Sequence, residues 1–456
     1  MGAPTIQQLR EDVHGAVITP DDNGYDEARA VYNAMIDKRP AAIVQPADAA
    51  DVAVAVRHAH DAGLDLAVRG GGHSVPGFGT CDGGIVIDLS TMRAVTVDPS
   101  SKTARAAGGA TLGDFNEATG AHGLATTGGI ISTTGVGGLT LGGGIGYLAR
   151  GYGLSIDNLA SAQVVTADGE TLTASDREHE DLFWAIRGGG GNFGVVTSFE
   201  FRLHPVSEIY GGPMFFELED ARAILEWYRE FIADAPEGFG GFPAFQIAPP
   251  LPFIPEERHG DTFIAFVACW SGPIEQGESA LKPLHDVAPV VAEMVGPMPY
   301  AALNGAFDAL VPPGLQHYWK ANFVTELTDQ NIDAHLAHGP NVPVVNSTVH
   351  IYPINGAVHR IGATETAFAH REANFATVIA GMWPDPADNE KNTAWVRGYY
   401  DATAPSSEEG GYINFMASDD QGRVRANFGV NYDRLLEVKR RYDPDNVFHL
   451  NQNIAP

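Results

Sequence analysis

The amino-acid sequence predicts an α+β protein with two domains and a short C-terminal segment. Three observations predict this class. The chain has 456 residues, enough for roughly two or three domains of about 100 to 200 residues each. Hydrophobic residues make up 44% of the chain, as expected for a globular protein rather than a disordered one. Helix-like and strand-like segments are mixed throughout, and their composition changes near residue 206 and again near residue 406.

The first predicted domain covers residues 1–206. Apolar and polar residues are spaced as in an amphipathic helix over residues 48–62, and Gly63 is expected to end that helix. Short β-branched runs then predict strands: LDLAVRG, GGIVIDLS, AVTVD and TARAAGGA. LASAQVVTADGETLTAS predicts a hairpin with Asp168 and Gly169 at its turn, and DLFWAIRG predicts a helix.

The second predicted domain covers residues 207–405, where aromatic residues and prolines become more common. Helix-like DARAILEWYREFIADA alternates there with strand-like TFIAFVACW and NSTVHIYPI. Residues 406–456 form the C-terminal segment. Its helix-like DRLLEVKRRY is expected to end at Pro444, and the remainder is loop-like.

The charge balance excludes some classes of partner. The chain has 57 Asp plus Glu against 28 Lys plus Arg, a formal charge of −29, which repels nucleic-acid phosphates and anionic lipid headgroups. We expect neither a nucleic-acid nor a membrane partner. Only six of the basic residues are Lys, which suits a halophilic source, although a GC-rich genome with an acidic drift explains it equally well. The N-terminus has no apolar signal core and no twin Arg, so we expect a cytoplasmic protein.

Metal and hydrolase chemistry find no support in the sequence. Cys81 and Cys269 are too isolated for a metal or redox pair and are expected to be buried small residues. No HExxH motif occurs, and the sixteen histidines lack convincing ligand spacing, so we expect no metal. No GxSxG motif of a serine hydrolase is present.

Four glycine-rich segments are the main chemical signal, and we call them the glycine loops: residues 69–79, 126–138, 142–146 and 188–194. Glycine lets backbone N–H groups approach a pyrophosphate closely, although any single segment could equally be a set of tight turns. Gly189, Gly191 and Gly194 match the GxGxxG dinucleotide fingerprint. That fingerprint needs a strand before it and a helix after it. The predicted order here is reversed, which argues against a Rossmann domain.

Six motifs, taken in order, resemble the FAD-linked oxidases of the vanillyl-alcohol-oxidase superfamily and, within it, the berberine-bridge-enzyme-like group. They cover most of the chain: RGGGHS at residues 69–74, TTGVGGLTLGGGIG at 133–146, GLSIDN at 153–158, WAIRGGGGNFGVVTSFEF at 184–201, YINF at 412–415 and YDPDNVFHLNQNI at 442–454. The resemblance implies a PCMH-type FAD-binding domain over residues 1–206. It also implies a substrate domain over 207–405, with an antiparallel sheet backed by helices, and a C-terminal segment that returns to the FAD domain.

The resemblance also implies the cofactor and the residues that hold it. In the group, the histidine of GGHS forms a covalent bond to the 8α-methyl carbon of the flavin, a role that falls on His73. Some relatives add a second tether from cysteine at the position of Ile131, so no cysteinyl link is expected here. The residues expected to bind FAD are Arg69, Gly70, Gly71, Gly72, His73, Ser74, Gly77, Phe78, Thr127, Gly128, Thr133, Thr134, Gly137, Gly138, Gly142, Gly143, Asn192, Gly194, Val195, Val196, Asn414, Asn451 and Asn453.

Tyr412 is the expected catalytic residue, because many relatives use the tyrosine of this motif to take the proton of the substrate hydroxyl. A free tyrosine has a pKa near 10, so such a base needs a nearby cation or a proton-accepting network, and Lys320 is one candidate cation. The resemblance places Thr134 at the oxygen-access position of the group, and its β-branched bulk is close to that of the valine associated there with oxidase behaviour. His350, Tyr352, His359 and Arg360 lie in a region that resembles the sheet over the substrate pocket, and only alternate residues of a strand can face that pocket.

The sequence therefore predicts an FAD-dependent oxidase that takes hydride from a small alcohol, sugar or secondary metabolite and passes the electrons to O2, giving H2O2. Two alternatives stay open. A dehydrogenase would use another electron acceptor, and reoxidation of the flavin by air or by a quinone dye separates the two. A binding protein that kept the scaffold without its chemistry is the second alternative.

Overall fold

The computed structural model describes residues 4–456, apart from the side chain of Gln421. Its first sheet has four strands: β1 (Ala16–Ile18), β2 (Ala42–Gln45), β3 (Leu66–Arg69) and β4 (Ile85–Asp88). β4 lies between β2 and β3 and runs parallel to both, whereas β1 pairs antiparallel with β2. The second sheet is antiparallel, in the order β5-β6-β9-β7-β8: β5 (Val95–Asp98), β6 (Thr103–Ala107), β7 (Leu159–Val165), β8 (Thr171–Ser175) and β9 (Val195–Arg202).

The third sheet has eight antiparallel strands, all between residues 208 and 383. They are β10 (Glu208–Phe216), β11 (Phe242–Ile247), β12 (Thr262–Trp270), β13 (Val290–Glu293), β14 (Gly296–Pro299), β15 (Gln316–Val324), β16 (Thr348–Pro353) and β17 (Phe375–Trp383). Their order is β13-β10-β12-β11-β16-β17-β15, with β14 also paired to β10.

Fifteen α-helices accompany the sheets in the described residues. They are α1 (Ile6–Asp12), α2 (Tyr25–Arg29), α3 (Ala49–Ala62), α4 (Leu112–Gly120), α5 (Val136–Leu141), α6 (Ala149–Tyr152), α7 (Ser155–Asn158), α8 (Glu180–Ile186), α9 (Ala221–Asp234), α10 (Gly277–His285), α11 (Tyr300–Gly305), α12 (Asp329–His338), α13 (Asn389–Thr403), α14 (Val424–Phe428) and α15 (Tyr432–Tyr442). None of the helices within residues 4–456 is both long enough and apolar enough to cross a bilayer.

The predicted α+β class is confirmed by this mixture of helices and largely antiparallel sheets. Three local predictions are confirmed as well: the helix that ends at Gly63, the hairpin turn at Gly169 and the order of elements around the GxGxxG segment. The Asp48 side chain caps the start of α3 by accepting two backbone N–H bonds, and Gly63 ends the helix with φ of 63°. The hairpin of β7 and β8 turns at Gly169, whose φ is 76°. The GxGxxG segment follows helix α8 and precedes strand β9, so it does not have the order of a Rossmann fingerprint.

The two faces of the third sheet have different partners because strand side chains alternate. On one face, Val349 and Ile351 of β16 pack in a core with α9 and α13, which contribute Tyr228 and Tyr399. On the opposite face, neighbouring strand residues such as Val378 belong to a second core shared with the first domain. The apolar residues of α9 recur at helical spacing, which gives the helix one buried side. One sheet thus separates a helix layer from the interface between the domains.

A buried arginine joins the first domain to the end of α9. Arg150 of α6 is 2% exposed, and its guanidinium donates to the backbone carbonyls of Ile232, Ala235, Pro236 and Phe239. The carbonyls at a helix C-terminus carry partial negative charge, which a guanidinium complements. This contact fixes the second domain against the first.

A buried ion pair holds the C-terminal segment in place. The Lys439 ammonium of α15 and the carboxylate of Asp443, the residue that follows this helix, are both fully buried, and the ammonium also donates to the carbonyls of Asn192 and Phe448. The Asp443 carboxylate accepts the backbone N–H groups of Val447 and Phe448. Burial lowers the pKa of Lys439, and the carboxylate opposes that effect. The pair therefore ties the last glycine loop to the end of the chain.

Replacing Lys439 with Met is expected to lower the free energy of unfolding by about 3–5 kcal/mol, because Asp443 is left as an uncompensated buried charge. Lys282→Met is the matched control. Lys282 and Asp286 form the same i,i+4 pair on an exposed helix surface, where its loss costs no more than about 0.5 kcal/mol. Urea unfolding followed by circular dichroism measures both. Equal losses in the two variants would contradict the role assigned to the buried pair.

Candidate active site

A cavity of about 430 Å³ lies between the glycine loops of the first domain and the third sheet of the second. The glycine loops line one side of it. Side chains of the third sheet line the opposite side, which we call the roof. Residues 448–452 of the C-terminal segment complete the wall. All three predicted parts of the chain therefore contribute to one site.

The structure brings most of the predicted site residues to this cavity. Those that line it are Arg69, Gly70, Gly71, Gly72, His73, Ser74, Phe78, Thr134, Gly137, Gly138, Gly194, Val196, Tyr412, Asn414 and Asn451. Their individual contacts with a cofactor stay predictions.

The other predicted residues do not line the cavity: Gly77, Thr127, Gly128, Thr133, Gly142, Gly143, Asn192, Val195 and Asn453. Several of them support residues that do line the cavity. The amide of Asn192 donates to the Gln452 carbonyl, and its oxygen accepts the Ile454 N–H, which fixes the C-terminal segment. Gly142 lies where a Cβ would be 2.2 Å from the side-chain oxygen of Asn414.

His73 is a neutral imidazole held by two hydroxyl groups. Its Nε2 is 3.1 Å from Oγ1 of Thr133, and its Nδ1 is 3.4 Å from Oγ1 of Thr134. The ring of Tyr32 stacks on the imidazole, with the ring centroids 3.8 Å apart. Burial lowers the pKa of His73 to about 4, so the ring is uncharged at neutral pH. An uncharged imidazole keeps a nucleophilic lone pair.

The glycine loops approach one another so closely that only backbone fits between them. A Cβ on Gly71 would lie 2.3 Å from the backbone nitrogen of Gly135. Gly138 and Gly191, in contrast, have no atom within 4 Å of an added Cβ, and both face the cavity. The loops thus combine tight mutual packing with open backbone surface toward the space that a ligand would fill.

The phenol oxygen of Tyr412 accepts two hydrogen bonds. The donors are the backbone N–H of Gly144 at 2.8 Å and the side-chain amide of Asn414 at 2.9 Å. Burial raises the pKa of Tyr412 to about 12, and the two donors counter only part of that rise. The Asn414 amide also donates to the carbonyl of Leu139. Tyr412 and Asn414 are therefore fixed against the third glycine loop.

The hypothesis that Lys320 acts on Tyr412 is wrong. The Lys320 ammonium binds the carboxylates of Asp419 and Asp420, at 3.0 and 2.7 Å. Its neighbour Trp319 lines the cavity, so strand alternation turns Lys320 to the opposite face of β15. Tyr412 gains no cation from this lysine.

His350 and Tyr352 both line the cavity, as alternate residues of β16 should. Nδ1 of His350 is 2.6 Å from the Tyr352 hydroxyl. His359 and Arg360 lie beyond the strand and bind the Ala373 carbonyl and the Glu237 carboxylate. The pocket residues of this region are thus His350 and Tyr352.

Several residues that line the cavity were not predicted from the sequence. Tyr32 lies far from every motif, and only the folded chain brings it to His73. Phe415 and Gln452 lie within quoted motifs, beside residues that were selected, and both line the cavity. Phe415 and Gln452 could have been predicted because each is next to a selected residue in its motif. No sequence feature marks Tyr32.

The residues present fit a flavin dinucleotide. Gln452 lines the cavity with both side-chain amide atoms buried and unpaired within the described chain, and the Asn451 oxygen is in the same state. Unpaired buried amides are costly unless a ligand pairs with them. Together with the open backbone at Gly138 and Gly191, they supply donors and acceptors suited to a pyrophosphate and a heteroaromatic ring.

Fold and cavity together define a class of protein with a cavity that backbone lines on one side and the side chains of a sheet line on the other, and that fits a dinucleotide. Comparison with known proteins identifies that class as flavin-dependent. Residues 40–175 match the family model of an FAD binding domain, and residues 411–455 match the model described as berberine and berberine like.

Two curated relatives span almost the whole chain. An FAD-linked oxidoreductase of Dictyostelium discoideum is 30% identical over 461 residues, covering 99% of this chain and 97% of the relative. The (R)-6-hydroxynicotine oxidase of Paenarthrobacter nicotinovorans is 30% identical over 469 residues, covering 97% of each. The chain therefore belongs to the berberine-bridge-enzyme-like family of FAD-linked oxidoreductases.

A solved structure of a relative has the same fold. The crystal structure of 6-hydroxy-D-nicotine oxidase from Arthrobacter nicotinovorans superimposes with a TM-score of 0.86 at 28% identity, covering 97% of this chain and 98% of that one. The predictions of an FAD enzyme and of its family are thereby confirmed.

Replacing Gly138 with Ala is expected to remove FAD without unfolding the protein. Gly138 lies in α5, where Ala favours the helix by up to about 1 kcal/mol, but its Cβ would enter the cavity. The measurements are flavin absorbance per protein and the thermal midpoint of the FAD-free chain. Gly398→Ala is the control, because Gly398 lies in helix α13, also with nothing near its Cβ, but outside the cavity. Full FAD content in Gly138→Ala would show that this backbone does not face the cofactor.

Proposed function

We propose that this protein is an oxidase that carries FAD covalently on His73. It would take hydride from a small alcohol, sugar or secondary metabolite and pass the electrons to O2, giving H2O2. The observation that carries the proposal is His73 itself, a neutral imidazole in the cavity wall between the hydroxyls of Thr133 and Thr134. FAD, when bound, supplies the hydride acceptor and the redox chemistry.

The surroundings of His73 support a single attachment point. Its uncharged ring can act as a nucleophile, and the two threonine hydroxyls and the Tyr32 ring fix its plane. Cys81 and Cys269 are both buried, and neither belongs to the cavity lining. Ile131, at the position of a second tether in some relatives, does line it.

Tyr412 is proposed as the proton acceptor for the substrate. Its oxygen is fixed by Gly144 and Asn414, two donors that favour the phenolate, while burial favours the phenol. With a pKa of about 12, only a small phenolate fraction exists at neutral pH, and that fraction grows about tenfold per pH unit. Tyr412 therefore acts as a base most effectively in alkaline solution.

O2 is the proposed electron acceptor. The β-branched Thr134 lines the cavity beside His73, and the nicotine-oxidising relatives are named as oxidases. Flavin reoxidation in air, compared with reoxidation by a quinone dye, separates an oxidase from a dehydrogenase. We also propose that the protein has neither a nucleic-acid nor a membrane partner, which rests on the charge of −29.

Replacing His73 with Ala is expected to abolish covalent attachment, because no other nucleophile is proposed at that position. Denaturing electrophoresis, with the gel acidified and viewed for flavin fluorescence, measures the attachment. His122→Ala removes an exposed histidine and should keep the fluorescent band. A dark wild-type band from a yellow native protein would refute the covalent link and leave FAD binding intact.

Replacing Tyr412 with Phe is expected to slow flavin reduction by about 10²- to 10⁴-fold, the usual contribution of a general base. In the unmodified protein the reduction rate should rise about tenfold per unit from pH 7 to about pH 10, because the pKa of Tyr412 is raised to about 12. Anaerobic stopped-flow measurements with an alcohol that bleaches the flavin test both. Tyr152→Phe, which lies outside the cavity lining, is the control. A pH-independent rate would remove Tyr412 from the role of base.

A further inference from the structure

We propose that the cavity takes a neutral, largely apolar ring compound with one hydroxyl or carbonyl group, which the pair His350 and Tyr352 binds. This inference rests on the proposed function, because it names the substrate class of the same site. It narrows that class from alcohols, sugars and secondary metabolites in general to one kind of molecule.

Most of the roof is apolar. Its lining includes Phe215, Phe242, Val267, Val378 and Met382, which all project from the third sheet. The Phe242 and Tyr352 ring centroids are 4.5 Å apart, and aromatic rings of this kind favour stacked or edge-on contact with another ring. Burial of a ring compound against this surface is favoured by the hydrophobic effect.

No free charge is available to a substrate among the described lining residues. Arg69 is the one charged side chain there, and its guanidinium is 3.0 Å from the Asp88 carboxylate and also donates to the Ala30 carbonyl. A carboxylate or an ammonium entering the cavity would lose its hydration and gain no opposite charge. Charged substrates are therefore disfavoured.

Two polar side chains of the roof, and Asn346 beside it, already donate their hydrogen bonds to backbone. The Gln246 amide donates to the Val345 carbonyl, the Asn346 amide to the Leu310 carbonyl, and the Thr348 hydroxyl to the Phe245 carbonyl. An oligosaccharide carries hydroxyl groups along its length, and each one needs a partner when it is buried. The roof leaves few donors and acceptors for them, so an oligosaccharide is a poor occupant.

Among the described residues, the roof also carries the unpaired indole N–H of Trp319 and the pair formed by His350 and Tyr352, which is the one place that offers both a donor and an acceptor. Burial lowers the pKa of His350 to about 3 and raises that of Tyr352, so both groups are neutral. If the Tyr352 hydroxyl donates to Nδ1 of His350, the pair offers the Nε2–H donor and a phenol oxygen acceptor. If Nδ1–H donates instead, the pair offers a hydroxyl donor and an Nε2 acceptor. Either tautomer can bind one hydroxyl or carbonyl group.

The test is isothermal titration of the FAD-loaded enzyme with four probes: 4-methylphenol, toluene, 4-methylbenzoate and cellobiose. We expect 4-methylphenol to bind most tightly, 4-methylbenzoate at least about tenfold more weakly because its charge is unpaired, and cellobiose not to bind detectably. Tighter binding of 4-methylbenzoate or cellobiose, or no binding of 4-methylphenol, would overturn the inference.

Variants test whether His350 and Tyr352 bind the hydroxyl group of 4-methylphenol. His350→Leu should weaken 4-methylphenol about 3- to 10-fold and leave toluene unchanged, since only the phenol uses the hydrogen bond. His335→Leu is the matched control, because His335 makes the same contact with Tyr399 at 2.8 Å outside the cavity. Tyr352→Phe probes the pair independently if His350→Leu does not fold. Equal 4-methylphenol affinity in the unmodified protein and in a folded roof variant would refute the assignment.

The binding result and the in-gel fluorescence of the flavin are independent. A covalent flavoenzyme that prefers cellobiose would refute the substrate class and leave the oxidase proposal standing. A protein that binds 4-methylphenol as expected but loses its flavin on denaturation would refute the tether and leave the substrate class standing.

Discussion

The buried pair of Lys439 and Asp443 is the interaction on which the rest of the site depends. The Lys439 ammonium reaches the last glycine loop through Asn192 and the end of the chain through Phe448. The Asp443 carboxylate accepts the N–H groups of Val447 and Phe448, where the stretch against the cavity begins. A desolvated pair contributes little net stability compared with apolar packing, but it enforces one geometry, because any shift leaves a charge without its partner. The wall of the cavity is therefore set by a contact that touches no ligand.

Much of the fold and of the site could be predicted from the sequence because the signals are local. The glycine that ends α3 at Gly63 and the hairpin turn at Gly169 are dictated by neighbouring residues. The glycine loops were recognisable because close backbone approach requires glycine, as the contact between Gly71 and Gly135 shows. The placement of His73 at the cavity followed from its motif.

Contacts between distant segments could not be predicted in this way. Tyr32 reaches His73 across unrelated parts of the chain, and no local pattern marks it. From the sequence alone, Lys320 is one candidate cation for Tyr412. Side chains alternate along β15, so Lys320 points away from the cavity that its neighbour Trp319 lines. The sequence does not show which of the two residues faces the cavity. The boundaries at residues 206 and 405 remain predictions, although the strands of the third sheet all fall between them.

The two sides of the cavity differ in whether backbone or side chains face the ligand. The glycine loops present backbone, which is the same whatever side chains surround it, whereas the roof presents the side chains of one sheet face. A point mutation in the roof changes what the cavity accepts and leaves the cofactor side untouched. The opposite side is constrained where the loops touch each other, because any side chain at Gly71 or Gly135 meets backbone. Such an architecture can diversify in specificity during evolution while its redox chemistry is inherited unchanged.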